Sequence, residues 1–166
     1  MALAIRRFPD PVLKRSTHPI ERVDDDVRKL IERMAATMCS YPRCVGLAAP
    51  QVGSSLRIAV MDSSRNPKVT ESRGLIILIN PRVIAEEGAV VQREGCLSIP
   101  DFTGNVQRAA RVNVRAHDQD GQLQKFWLEG FEAIIAQHEI DHLDGKLFLD
   151  RVANLKTDVF RRKTYL

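Results

Sequence analysis

The stretch Gln137–Gly145, QHEIDHLDG, constrains this chain more than any other. His138 and His142 stand four residues apart, so on a helix both imidazoles leave one face about a turn from each other and can share a metal ion. Glu139 lies one residue along from His138, where an acid does not bind the metal but reaches a water at it. The surrounding residues predict that helix. Phe131, Ile134, Ile135, His138 and His142 form one stripe at helical spacing, apolar in its first turns and ending in the two histidines, and Gly145 supplies a stop. The ordinary alternative is a pair of core histidines satisfied by hydrogen bonds.

A catalytic metal usually takes three protein ligands and keeps one position open. A zinc endopeptidase would supply the third as a later His or Glu, and after His142 this chain has neither. The third ligand must come from upstream: Cys39, Cys44, Cys96, His18, His117 or an acidic residue. Spacing alone leaves that choice open. Cys39 and Cys44 read as small buried residues, the commonest fate of a free cysteine. Cys96 follows Gly95, which frees the backbone to bring a thiolate and the next amide to a shared centre.

The rest of the chain bounds the setting. A length of 166 residues, 44% of them hydrophobic and 28% charged, suits one soluble globular domain over 1–166. Three cysteines suggest a reducing compartment rather than a disulfide framework. The N-terminus lacks the order and length of a signal peptide, and no apolar run nears the ~20 residues that span a bilayer. A net charge of +4 is compatible with an anionic partner such as ribosomal RNA but too weak to argue for nucleic-acid binding.

Taken in order, Pro9 and Pro11 hold the opening segment extended, barring a helix before Val12 and making it a packing arm. Asp24, Asp25 and Asp26 lead into a helix with an inward stripe of Val27, Leu30, Ile31, Met34 and Met38. Pro42–Gly53 is a small-residue loop in which Gly46 permits close backbone approach. There Gln51, the one polar side chain in an apolar run, either stitches the loop or donates to a ligand. Leu56–Met61, Leu75–Ile79 and Val83–Gln92, the last broken near Gly88, read as strands. Val112–Ala116 and Leu123–Leu128 flank Asp120-Gly121 as a hairpin. Beyond Val152 the tail, with Lys156, Arg161, Arg162 and Lys163, reads as a solvated basic end. Strands closed by a histidine-bearing helix predict an α+β fold, with antiparallel or mixed sheets around a central C-terminal helix and a further helix near the N-terminus.

Three segments in this order, CVGLAAPQ ending at Gln51, EGCLS around Cys96 and QHEIDH around His138, resemble the peptide deformylases. The likeness extends to the PDPVL arm and to Val106-Gln-Arg108. The resemblance implies a metal held by Cys96, His138 and His142, with Glu139 as general acid and base. It implies Gln51 and the Leu97 backbone N–H as oxyanion donors, and Val45 and Gly46 along the substrate cleft. Glu94 and Arg108 become a supporting ion pair. The implied reaction removes formate from N-formylmethionine on newly made polypeptides, with Fe(II) in the cell and Zn, Ni or Co in purified protein. Implied with it are a bacterial-type cytoplasmic setting rather than an organellar one, nascent peptides and a transient ribosome contact as partners, and neither DNA nor membrane. If the His138 helix lines the pocket, Phe131, Ile134 and Ile135 are the apolar wall that receives the first side chain. The chain departs from the pattern in Cys44, where many members have Gly, and in a tail short for members that dock on the ribosome through a C-terminal helix.

Overall fold

The computed structural model describes residues 2–163. Its first helix, α1 (Asp25–Ser40), begins where the three aspartates predict, with the Asp24 side chain accepting from the Val27 N–H and acids filling the positive first turn. Val27, Ile31, Met34 and Met38 pack against Leu47, Ile58 and Val60. Cys39 is exposed, not buried as expected. The helical period that turns Met38 inward carries the next residue about 100° away, toward solvent.

Five strands form one antiparallel sheet. In spatial order they are β1 (Gly46–Ala48), β2 (Ile58–Asp62), β3 (Leu75–Glu87), β6 (Arg111–His117) and β7 (Leu123–Glu129). A second sheet joins β4 (Val90–Cys96), β5 (Ile99–Arg108) and β8 (Val159–Arg161) in the order β4-β5-β8. The two strands expected over 75–79 and 83–92 are differently divided. Leu75 to Glu87 is one strand that runs through Pro81, because Pro81 sits in a register shift between Ile79 and Arg82. Asn80 takes the left-handed conformation there (φ 52°), and its side-chain amide is tied to both backbone groups of Ile20. Gly88, at φ 69°, then turns the chain out of the first sheet and into the second.

Toward both ends the described residues carry secondary structure beyond what the sequence predicts. A 3-10 turn spans Pro11–Lys14, one residue earlier than the Val12 limit, because Asp10 caps it by accepting from the Val12 N–H. The arm does pack: Leu13 is fully buried, Arg6 N–H donates to Gln51 O and Phe8 N–H donates to Ser98 O. The tail is solvated only in part: Lys156, Arg161 and Lys163 are exposed, but the chain between them joins the second sheet. Phe102 pairs with Arg161 and Thr103 with Phe160, and the Arg93 guanidinium lies over the Phe160 ring, 3.6 Å from its centroid.

The second helix, α2 (Gly130–Leu143), runs through the centre. Ala133, Ile135, Ala136, Ile140 and Leu143 pack on the five-stranded sheet against Met61, Leu78, Val112, Val114 and Leu128. On its other side His138 stacks on Phe148, which belongs to a separate cluster with Leu13, Cys96, Ile99 and Val106. Covered on both sides, the helix is buried nearly all round, so the single stripe read from sequence understates its burial. The α+β expectation, with two helices and antiparallel sheets, describes the fold.

Candidate metal centre

Cys96 ends β4, and the centre forms where that strand meets the buried face of α2. Ligand atoms of Cys96, His138 and His142 all lie within 4.8 Å of one another, the one such cluster among the described residues. Cys96 Sγ is 3.3 Å from His142 Nε2, and the two imidazole rings meet edge to face at 4.9 Å. The other upstream candidates lie outside this cluster. Cys44 is buried, but its thiol is turned to Gly46 O at 3.1 Å, and burial pushes its pKa up to about 12. One thiol and two imidazoles converging from a strand end and one helix face fit a metal that takes three protein ligands.

His138 is held for that role. Its Nδ1 lies 2.8 Å from Glu94 Oε1. An ionised carboxylate can only accept, so Nδ1 carries the proton and the Nε2 lone pair is left for the centre. Glu94 is clamped in turn by Arg108, whose Nε and one terminal nitrogen donate to its two oxygens at 2.7 and 2.8 Å. The remaining terminal nitrogen of Arg108 donates to Asp141, which also accepts two bonds from Arg151. Burial alone would push the Glu94 carboxyl up, but Arg108 and His138 hold it at about 2. Burial also disfavours a charged His138 ring, and its hydrogen bonds to Cys96 and Glu94 outweigh this, raising its pKa. His142 is held well below the ordinary range by its burial, with His138 and Arg108 adding to the shift. Its Nδ1 has no hydrogen-bond partner among the described residues.

Glu139 stands beside the cluster without joining it. Its Oε1 is 3.9 Å from His138 Nε2, and its buried Oε2 has no hydrogen-bond partner among the described residues. Burial raises its pKa to about 7, a shift that His138 partly offsets. The close approach foreseen at Gly46 is to this side chain: a Cβ on residue 46 would sit 3.0 Å from Glu139 Cγ, Cδ and Oε2. Of the two fates expected of Gln51, the structure shows the loop tie. Its carbonyl oxygen accepts from Ala48 N–H at 3.0 Å, which stitches the loop, and its Nε2 is thereby aimed at Cys96 Sγ (3.4 Å) and Ser98 Oγ (3.2 Å).

These groups line a cavity of about 260 Å³. Its wall includes Cys44, Val45, Gly46, Gln51, Glu94, Cys96, Leu97, Phe131, Ile134, Ile135, His138 and Glu139, so nearly every residue singled out in the sequence meets here. His142 and Arg108 lie behind it. A larger cavity of about 960 Å³, lined by Arg57, Arg82, Arg115 and Arg151 among others, shares no residue with it and holds none of the cluster. Size therefore does not locate the chemistry. Sequence reasoning missed Asp141, Arg151 and Gln137, whose side-chain amide ties α2 to both backbone groups of Ala109. Asp141 and Gln137 stand inside the histidine motif, where a polar residue on a buried helix is itself a signal. Arg162, which also lines the cavity, gave no such signal.

A family model described as polypeptide deformylase matches residues 2–158. A peptide deformylase of Azotobacter vinelandii is 46% identical over 162 residues, covering 97% of this chain and 93% of that protein. One from Syntrophobacter fumaroxidans is 43% identical over 161 residues, covering 97% and 92%. The crystal structure of peptide deformylase from Thermotoga maritima superposes with a TM-score of 0.85 at 39% identity, covering 93% of this chain and 99% of that one. The chain thus belongs to the polypeptide deformylases, metal-dependent hydrolases that remove the N-formyl group from nascent peptides.

Proposed function

We propose that this site hydrolyses the formyl amide of N-formylmethionyl nascent peptides with Fe(II) as its working metal, residues 1–166 forming one catalytic domain. The observation that carries this reading is the cluster of one thiol and two imidazoles beside a buried carboxylate, at a cavity with an apolar wall. A divalent metal held by Cys96, His138 and His142 supplies Lewis acidity and a water of lowered pKa. Fe(II) is what the family resemblance implies, and one thiolate with two imidazoles also accepts Zn, Ni or Co.

The chain's own groups do the rest. Glu139 takes the proton of the attacking water and returns it to the leaving amine, and its buried Oε2, with no hydrogen-bond partner among the described residues, is left for both transfers. The Gln51 side-chain N–H and the Leu97 backbone N–H donate to the oxygen on which charge develops, Gln51 being pre-aimed by its bond to Ala48. Glu94, braced by Arg108, fixes the His138 ring. Phe131, Ile134, Ile135 and Val45 form the slot for the methionine side chain, and Gly46 lets substrate pass close to Glu139. A cytoplasmic setting with transient ribosome contact accords with the +4 net charge, and no helix among the described residues is long and apolar enough to cross a membrane.

The test is acyl release, under anaerobic conditions and on one metal form: formate from N-formyl-Met peptides and acetate from N-acetyl-Met peptides. The extra methyl of the acetyl group would crowd the acyl position between the Gln51 and Leu97 donors or displace a wall residue, so acetyl substrates should turn over at least ~10² times more slowly. Comparable kcat/KM for both acyl groups would point to a broad amidase instead.

A further inference from the structure

Arg162 follows β8 directly, and its backbone N–H donates to Asp101 O at 2.8 Å, which anchors it to the second sheet. Its side chain turns back to the catalytic cavity and lines both that cavity and an adjoining one of about 240 Å³ bounded by Ile5, Tyr41, Leu97 and Pro100. The guanidinium lies against the backbone at Gly95: a Cβ there would meet its terminal nitrogen at 2.5 Å. Only a residue without a side chain admits it at that place. Its Nε and that same terminal nitrogen are buried and have no hydrogen-bond partner among the described residues. Arginine is rarely left so, since each unmade bond of a buried donor is costly and a guanidinium wants a carboxylate or a carbonyl.

The surroundings specify the partner's charge. Besides Arg162, the cavity is lined by Arg43 and Arg93, both exposed, while its two acids, Glu94 and Glu139, are buried. Glu94 is already engaged by Arg108 and His138. An incoming peptide thus meets a positive rim before it reaches the apolar slot.

We propose that Arg162 is a specificity-determining residue that pairs with a carboxylate side chain at the second or third position of the substrate, so that the site favours nascent peptides acidic just after methionine. This rests on the deformylase reading above. The half-buried guanidinium stands in the wall shared by the two cavities, and once turned from Gly95 its fork of unpaired N–H groups matches a carboxylate's two oxygens, whereas a neutral amide presents one acceptor.

The experiment compares kcat/KM for C-terminally amidated formyl-Met-Glu-Ala against formyl-Met-Gln-Ala, and formyl-Met-Ala-Glu against formyl-Met-Ala-Gln, on the metal-loaded enzyme. At one of the two positions Glu should exceed Gln by about ten-fold at low salt, the size of a charge-assisted bond partly exposed to solvent, and the excess should shrink as salt rises. Arg162→Gln should bring that ratio to about one and Arg162→Lys should keep part of it. Arg161→Gln, the same charge change on β8, should leave it intact. Equal rates for Glu and Gln at both positions would overturn the proposal, as would a Glu preference that survives in Arg162→Gln. If Arg162→Gln slows acidic and neutral substrates alike, the residue only props the Gly95 backbone. Dissociation constants of the product peptides Met-Glu-Ala and Met-Gln-Ala give the same ratio without turnover. Should no formyl peptide be cleaved, the deformylase reading falls, while those affinities still decide the role of Arg162.

Discussion

Replacing Arg108 with methionine separates two jobs that one side chain performs. Arg108 is 2% exposed and is shared between Glu94 and Asp141, which are 5% and 8% exposed. Its removal leaves Glu94 with only the His138 ring and Asp141 with only Arg151. A buried ion pair broken from one side costs about 3–5 kcal/mol because the abandoned charge stays desolvated. For a chain of this size each kcal/mol moves the thermal midpoint by roughly 2–4 °C, so the drop should be roughly 6–20 °C. Glu94 would also orient His138 less firmly, and loss of such support typically weakens metal binding about 10- to 100-fold. The double replacement Arg108→Met with Glu94→Met tells the effects apart. With both charges gone, most of the midpoint should return, since apolar substitution of a whole buried pair is often neutral. Metal affinity should stay low, since no acceptor then faces His138 Nδ1. The assays are thermal denaturation of the metal-free protein and a competitive chelator titration of the loaded one. A single variant whose midpoint lies within ~2 °C of the parent would refute the energetic argument. A double variant that binds metal like the parent would refute the positioning argument.

Gly46→Ala should leave the fold intact, because Gly46 is not among the positive-φ glycines, yet its methyl would press on Glu139 at 3.0 Å. Turnover should fall by up to about 10²-fold through misplacement of the carboxylate, with metal content unchanged; an unaltered kcat would mean that Glu139 tolerates displacement. Stability of the metal-free protein should decline as pH falls from about 4.5 toward 2. The folded-state pKa of Glu94 is depressed to about 2 from 4.5, so its contribution is complete above 4.5 and lost on acidification, on the order of 3 kcal/mol. Asp141, depressed by Arg151 and Arg108 against its burial, acts in the same direction. Urea midpoints at several pH values, compared with those of Arg108→Met, check this, and an equal acid dependence in the two proteins would contradict it.

What the sequence disclosed is what short-range spacing encodes. The i, i+4 histidines, the glutamate between them and the apolar positions before them all lie on one helix, and all of them but His142 line the cavity. Gly46 and Gln51 were legible because a missing side chain and a lone amide in an apolar run each demand an explanation. What escaped depends on register between distant strands. Nothing near Val159 indicates that it will pair with Gly104, so the tail read as solvent-exposed and Arg162 passed unnoticed. That Leu75 to Glu87 is one strand turns on Pro81 falling at a register shift rather than ending it. Arg151 meets Asp141 only because the 3-10 turn Phe148–Arg151 folds back beside α2. Cys39 was misjudged from residue type, although the period of its own helix turned it outward.

The account stands most directly on a metal held by Cys96, His138 and His142 with Glu139 moving protons beside it. The deciding measurement is formate release from a formyl-Met peptide by the parent and by Glu139→Ala, both purified anaerobically and matched for metal content. The parent should release formate, and the variant should keep its metal through dialysis while losing roughly 10²- to 10⁴-fold in turnover. A variant that sheds its metal would make Glu139 a ligand, and one that turns over like the parent would remove it from the chemistry.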